Sequence, residues 1–172
     1  MKIRTGGPED AADILVLLDS AVAWLAARGR TGQWGDQPWS TRPAAADRIR
    51  GYTRDHLVRI AHDEDGRTIG ATILAEEPPA YVAAVDEREL YVRSLVTDRA
   101  RSGSGIGAAL IADALDETRR RGIGLLRVDC YAGDDRRLVE QYRRLGFTPT
   151  GTFEVERPGQ AAWPGQILQI RL

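Results

Sequence analysis

Between Val96 and Leu110 the chain reads VTDRARSGSGIGAAL. A β-favouring run closes at Thr97, glycines follow at positions 103, 105 and 107, and a stretch with helical periodicity begins at once. A second β-favouring run, Leu125–Cys130, stands beyond that helix. Strand, helix and strand in this order make a crossover unit, which commits the chain to an α/β architecture. Glycines at such a junction have two readings. They supply positive φ for a tight turn, or they let backbone N–H groups converge on an anion at a helix N-terminus, where unpaired donors and the helix dipole favour negative charge.

The flanking segments give the rest of the fold. Lys2–Thr5 reads as a first strand. Pro8, Glu9 and Asp10 start a helix with acids in its first turn, and Ile14, Leu17, Leu18, Val22 and Leu25 keep helical spacing to about Ala27, with Gly29 as the stop. Thr31–Pro43 is a loop by composition, and Ala44–Asp55 a second helix. Leu57–His62 and Thr68–Ala75 flank Asp63-Glu64-Asp65-Gly66, a hairpin signature. Glu89–Thr97 is a further strand, and the glycine segment opens a helix over Gly105–Arg121. A helix with Leu138, Tyr142 and Leu145 on one face follows Leu125–Cys130. The last two strands are predicted at Phe147–Val155 and Ile167–Leu172, separated by Arg157–Gly165. The expected fold class is α/β (α+β): a mixed sheet of six to seven strands flanked by four helices, in a single domain over residues 1–172.

Composition narrows the function classes. A net charge of −1 provides no basic field for nucleic acid or anionic lipid. The single cysteine, Cys130, excludes an internal disulfide and suggests a reducing compartment. No signal-peptide pattern or membrane-length apolar run is present, so a cytoplasmic location without membrane association is expected. A homodimer is expected only on the general frequency of dimers. No His, Cys, Asp or Glu cluster has metal-ligand spacing, so no metal is expected.

Two phosphate-binding patterns compete for the glycines. A P-loop requires Lys and then Ser or Thr after the last glycine, where Ala108 and Ala109 stand. Gly103-x-Gly105-x-x-Ala108 does satisfy the dinucleotide fingerprint, with Asp129 near the end of the next strand. Against it, Asp98–Ser102 separate strand from glycines, and few residues remain to build a doubly wound sheet.

Taken with the downstream stretch DDRRLVEQYRRLGF, the segment RSGSGIG resembles the GCN5-related N-acetyltransferase (GNAT) family, whose acetyl-CoA motif is a strand, an R/Q-x-x-G-x-G/A turn and a helix. The family's second motif sets an Asn, then a Tyr, then Gly-Phe. Here Asp135, Tyr142 and Gly146-Phe147 occupy those places, and Ser102 stands where Arg or Gln is usual, beside Arg101. The resemblance implies splayed central strands, with the pantetheine arm along Leu95, Val96 and Thr97. It puts the pyrophosphate on the segment Arg101, Ser102, Gly103, Ser104, Gly105, Ile106, Gly107 and Ala108, with Asp135 as a further cofactor contact. It implies direct acetyl transfer from acetyl-CoA to a primary amine of a small molecule or peptide, with Tyr142 as general acid toward the leaving thiolate.

Each side chain also has a plainer reading. By periodicity alone Tyr142 is a core tyrosine. Asp129 and Glu77 are the candidate bases, and a solvated surface carboxylate is the plain alternative for either. Trp34 and Trp39, with Asp36 between them, either line an acceptor pocket or anchor a long loop. Cys130 reads as a small buried residue rather than a nucleophile. The rival functions are a nicotinamide-dependent oxidoreductase and a non-catalytic acyl-CoA-binding sensor.

Overall fold

The computed structural model describes all residues, Met1–Leu172. Its elements are β1 (Lys2–Gly6), α1 (Ala11–Ala26), α2 (Pro43–Asp55), β2 (Leu57–His62), β3 (Thr68–Ala75), β4 (Leu90–Thr97), α3 (Ile106–Arg120), β5 (Leu125–Tyr131), α4 (Arg137–Arg144), β6 (Thr148–Val155) and β7 (Trp163–Arg171). The order and the count of seven strands and four helices match the expectation from sequence. The residues form two compact units, Met1–Leu74 with Ser94–Asp113, and Ala75–Arg93 with Ala114–Leu172; β4 and α3 supply residues to both.

In the first unit, β1, β2 and β3 are antiparallel neighbours, with β4 beyond β3. The β2–β3 turn closes on Gly66 at φ 79°, and the Asp63 carboxylate accepts from the N–H groups of Asp65 (3.1 Å) and Arg67 (3.0 Å). Ile14, Leu17 and Leu18 of α1 are buried with Ile49 of α2 and Val58, Ile60 and Ile73 of the sheet. Ile106 and Leu110 of α3 join Ala61 and Ile69 in a second cluster. A Cβ on Gly70 would stand 2.7 Å from Ile106 Cγ2, so bare backbone is what lets α3 lie this close to β3. Arg59 of β2 grips Asp113 of α3 through two bonds of 2.7 Å.

The second unit contains a parallel ladder in which Leu90, Tyr91 and Val92 of β4 pair with Leu126, Arg127 and Val128 of β5. The ladder pairs no residue of β4 beyond Val92. β5 then pairs antiparallel with β7, and β7 with β6. Strand alternation sorts the side chains of β4 and β5. Leu90, Val92, Leu126, Val128 and Cys130 form one buried apolar face. The opposite face carries Tyr91, Arg93, Arg127, Asp129 and Tyr131, with Glu89 just ahead of β4.

On that polar face Arg127 and Glu89 form a buried bidentate ion pair, with Nε–Oε2 at 2.5 Å and Nη2–Oε1 at 2.7 Å, while Nη2 also donates to the Ala83 carbonyl at 3.1 Å. Both carboxylate oxygens and two of the three guanidinium nitrogens are thus engaged, the condition under which a buried pair is tolerated.

One strand boundary differs from expectation. β7 begins at Trp163, so Pro164 and Gly165 belong to the strand and not to the preceding loop. The register with β5 ends at Gly165 opposite Tyr131, so Pro164 needs no N–H on that side. Gly165 is required because a Cβ there would lie 2.2 Å from the ring of Phe153, its partner on β6. Proline and glycine read as loop signals when their neighbours across the sheet are unknown.

No helix is long and apolar enough to cross a membrane. Glu89→Leu leaves a buried guanidinium unpaired and is expected to cost about 3–5 kcal/mol in chemical denaturation. The double change Glu89→Leu with Arg127→Met is expected to restore most of that loss.

Candidate active site

The glycine segment lies in the first unit. After β4, Asp98 caps a single 3-10 turn, Arg99–Arg101, its carboxylate accepting from Ala100 N–H at 2.9 Å. Gly103 (φ 83°) and Gly105 (φ 81°) are left-handed, and a Cβ on either would meet nothing within 4 Å. Backbone conformation rather than crowding therefore requires glycine there, and the space above the loop is open. Gly107 differs: it lies inside the first turn of α3 with ordinary helical φ. That turn begins with Ala109 N–H on the Gly105 carbonyl (3.0 Å), which leaves the N–H groups of Ile106, Gly107 and Ala108 without intrahelical acceptors. Ser102 and Ser104 hydroxyls donate back into the loop, to the carbonyls of Arg99 (3.0 Å) and Arg101 (2.6 Å). Arg101 is tied to Asp63 at 2.6 Å and to Asp98 at 3.5 Å. Open space, a row of unpaired N–H donors and the positive helix end fit a pyrophosphate. The charge beside Ser102 serves chiefly to fix the loop to the β2–β3 turn. Leu95, Val96 and Thr97 complete β4, with Val96 buried and the other two partly so.

The second unit holds the titratable cluster. Asp129 of β5 accepts from the Tyr91 hydroxyl at 2.6 Å and from the Tyr81 hydroxyl. Burial pushes its carboxyl above the usual carboxylate range, opposed by those hydrogen bonds and by Arg93. Tyr91 is itself fully buried, and burial next to the Asp129 charge raises its hydroxyl. Two tyrosine donors leave further lone pairs on the carboxylate for a third partner.

Tyr142 is buried on α4 beside Val139, its ring edge-on to Phe147 at 5.5 Å. Gly146 at φ 96° ends the helix, and Phe147 N–H returns to the Tyr142 carbonyl at 3.2 Å. The Gly-Phe pair therefore fixes the tyrosine ring, which gives a local reason for that spacing in the sequence. Asp135 precedes α4, exposed, accepting from Arg137 N–H at 3.2 Å and pairing with the Arg137 side chain. Cys130 is buried, its thiol pushed up to about 12 by burial, which keeps it protonated and inert. Glu77 is exposed in the loop after β3.

Trp34 and Trp39, in the first unit, meet edge to face at 5.9 Å and pack against the cluster that contains Ile14 and Ile49. The Trp39 indole N–H is buried without a hydrogen-bond partner. Asp36 between them is exposed and accepts from Gln37 at 3.4 Å.

Tyr81, Tyr91, Glu89 and Arg127 were not singled out from sequence. The signal was present: Glu89-x-Tyr91-x-Arg93 and Arg127-x-Asp129-x-Tyr131 alternate polar with apolar residues on adjoining strands. Such alternation ordinarily marks a solvated sheet face, and only the pairing of β4 with β5 shows the charges to be buried.

A family model described as the acetyltransferase (GNAT) family matches residues 19–147. No curated protein matches the sequence. Among solved structures, the ribosomal-protein-alanine N-acetyltransferase of Brucella melitensis aligns at 20% identity and TM-score 0.66 over 100% of both chains. The yncA protein of Salmonella typhimurium, solved with its cofactor acetyl-CoA, aligns at 21% identity and TM-score 0.66, covering 100% of this chain and 94% of the other. The ribosomal-protein-S18-alanine N-acetyltransferase of Escherichia coli aligns at 16% identity and TM-score 0.70, covering 99% and 92%. At these identities the likeness establishes the fold.

Gly105→Val forces a branched side chain into left-handed backbone, at a cost of roughly 1–2 kcal/mol. Its thermal stabilisation by acetyl-CoA is expected to fall by more than half. Gly29→Ala, at a comparable φ of 68° after α1, serves as control: it is expected to lower the melting temperature and keep the acetyl-CoA response.

Proposed function

The chain belongs to the acetyltransferase (GNAT) family, and on that premise we propose that Asp129 and Tyr142 are its proton-transfer groups. The protein is an acetyl-CoA-dependent N-acetyltransferase. Bound acetyl-CoA supplies an activated acetyl thioester. The acceptor is a primary amine of a small molecule or peptide, which at neutral pH arrives as an ammonium and attacks only after losing a proton.

Asp129 takes that proton. The observation that carries this assignment is a partly buried carboxylate, held above its usual range, with two tyrosine hydroxyls fixing its orientation and coordination capacity to spare. A raised carboxyl is a stronger base than a solvated one. Glu77, exposed in its loop, lacks that setting.

The freed amine forms the N–C bond through a tetrahedral intermediate, the C–S bond then breaks, the nitrogen gives up its second proton, and the departing sulfur needs one. The resemblance gives that proton to the Tyr142 hydroxyl, and a ring held by Phe147 and buried on α4 supports a positioned donor. The same resemblance gives the pyrophosphate to the N–H groups of Gly103–Ala108 and the pantetheine arm to Leu95–Thr97. The burial of Trp34 and Trp39 against the α1–α2 cluster favours the loop-anchor role for both.

Asp129→Asn is expected to lower kcat/KM about 10²–10⁴-fold. It should also remove the limb of the pH profile that rises as Asp129 ionises. Stability moves the opposite way. A carboxyl raised on folding binds protons more tightly in the folded chain, so wild-type stability falls as pH rises from the ordinary carboxylate value through the raised one. Asp129→Asn is expected to lose that fall and to melt no lower than wild type at pH 7. Tyr142→Phe should lower kcat with acetyl-CoA affinity retained, measured by thiol release. Unchanged turnover at every pH would remove Tyr142 from the chemistry.

A further inference from the structure

We infer that the acceptor is a small arylalkyl primary monoamine, its ammonium on Asp129 and its ring against an aromatic strip formed by Tyr81, Phe153, Trp163 and Tyr131. The inference rests on Asp129 receiving the amine, as proposed above. It adds what that amine must carry.

The strip follows from register. Tyr131 lies two residues beyond Asp129 on β5, opposite Gly165 of β7, which stands opposite Phe153 of β6. Because Gly165 has no side chain, the Phe153 ring lies over its backbone. Trp163, two residues before Gly165 on β7, is 6.1 Å from Phe153 and 5.6 Å from Tyr131, ring centre to ring centre. Tyr81, in the loop between β3 and β4, stacks on Phe153 at 5.4 Å with an interplanar angle of 29°. All four therefore occupy the sheet face that carries Asp129. Tyr81 links the two features, with its ring on Phe153 and its hydroxyl on the carboxylate.

These rings are not core. Tyr81 is 51% exposed and the other three are partly exposed, so the strip presents aromatic faces to a ligand. An ammonium is matched by the carboxylate and by neighbouring ring faces. An aryl group gains offset stacking beyond the area it buries, worth about two- to tenfold in affinity per ring pair. At the far end Tyr131 lies near one acid and one base, Asp134 and Arg157. The four rings carry no carboxylate, so a second ammonium meets no counter-ion among them as the first does at Asp129, which favours a monoamine.

The test uses the intact protein with acetyl-CoA and follows thiol release with 2-phenylethylamine, hexylamine, spermidine and the peptide Phe-Gly-Gly. Expected is a kcat/KM for 2-phenylethylamine about fivefold or more above hexylamine and about tenfold or more above spermidine and the peptide. Phe153→Leu should raise KM for 2-phenylethylamine about fivefold while the KM values of hexylamine and acetyl-CoA stay within about twofold. Should Phe153→Leu fail to fold, Tyr131→Leu, partly exposed at the end of β5, makes the same measurement. Tyr81→Phe, which keeps the ring and removes the hydroxyl, should keep the aryl preference and shift only the pH profile. Equal rates for phenyl and hexyl amines, a preference for spermidine or for the peptide, or variants that leave aryl selectivity intact would overturn the inference while leaving the acetyltransferase assignment of Asp129 standing. Acetyl-CoA binding without thiol release for any amine would overturn both.

Discussion

The second unit depends on a charge pair that water cannot reach. The parallel ladder of β4 and β5 is only three residue pairs long, a short seam for the strands that carry the Asp129 cluster. The Arg127–Glu89 pair crosses that seam, and Arg127 also holds the Ala83 carbonyl of the covering loop. Shifting the register by one residue would turn Arg127 and Asp129 onto the apolar face with Leu90 and Val92. The ion pair therefore sets which face is polar, and with it the placement of Tyr91 against Asp129 and of Tyr131 beside the aromatic strip. A buried pair of this kind gives little net stability; its contribution here is uniqueness of register.

The first unit solves a different problem with little side-chain chemistry. Its glycine loop holds Gly103 and Gly105 in left-handed backbone, ties both serine hydroxyls inward, and fixes Arg101 to Asp63. What faces outward is backbone N–H at the start of α3. Donors of this kind are peptide groups, so they do not depend on the side chain at Ser102, where the family prefers Arg or Gln.

Much of this was legible in the sequence, for reasons that can be named. Periodicity located every strand and helix in order, since Ile14, Leu17 and Leu18, or Leu57–His62 against Thr68–Ala75, repeat at the spacing of their element. The glycine and Tyr-x-x-x-Gly-Phe motifs were legible because their geometry is local to one turn or one helix end. The start of β7 was missed because the fitness of Gly165 depends on Phe153, twelve residues away. The Asp129 cluster was only half visible for the same reason. Its members come from β4, β5 and a loop, and nothing along the chain states that Tyr81 and Asp129 meet.

The loop from Glu76 to Glu89 is fastened by ion pairs at its ends and by buried Val82 and the Ala83 carbonyl in its middle, and exposes Tyr81 between them. Glu76 holds Arg88 and Arg121, Glu87 holds Arg171, and Glu89 holds Arg127, whereas Tyr81 stands out toward solvent. On the acceptor site proposed above, fold and acceptor preference are entrusted to different residues of one segment. A lineage could then exchange Tyr81, and so try new amines, without disturbing the ion pairs that hold the sheet. Ala80, Tyr81 and the exposed residues 84–86 are where divergent substrate ranges should accumulate among descendants of this scaffold, and they are the natural place to randomise when a new acceptor is wanted.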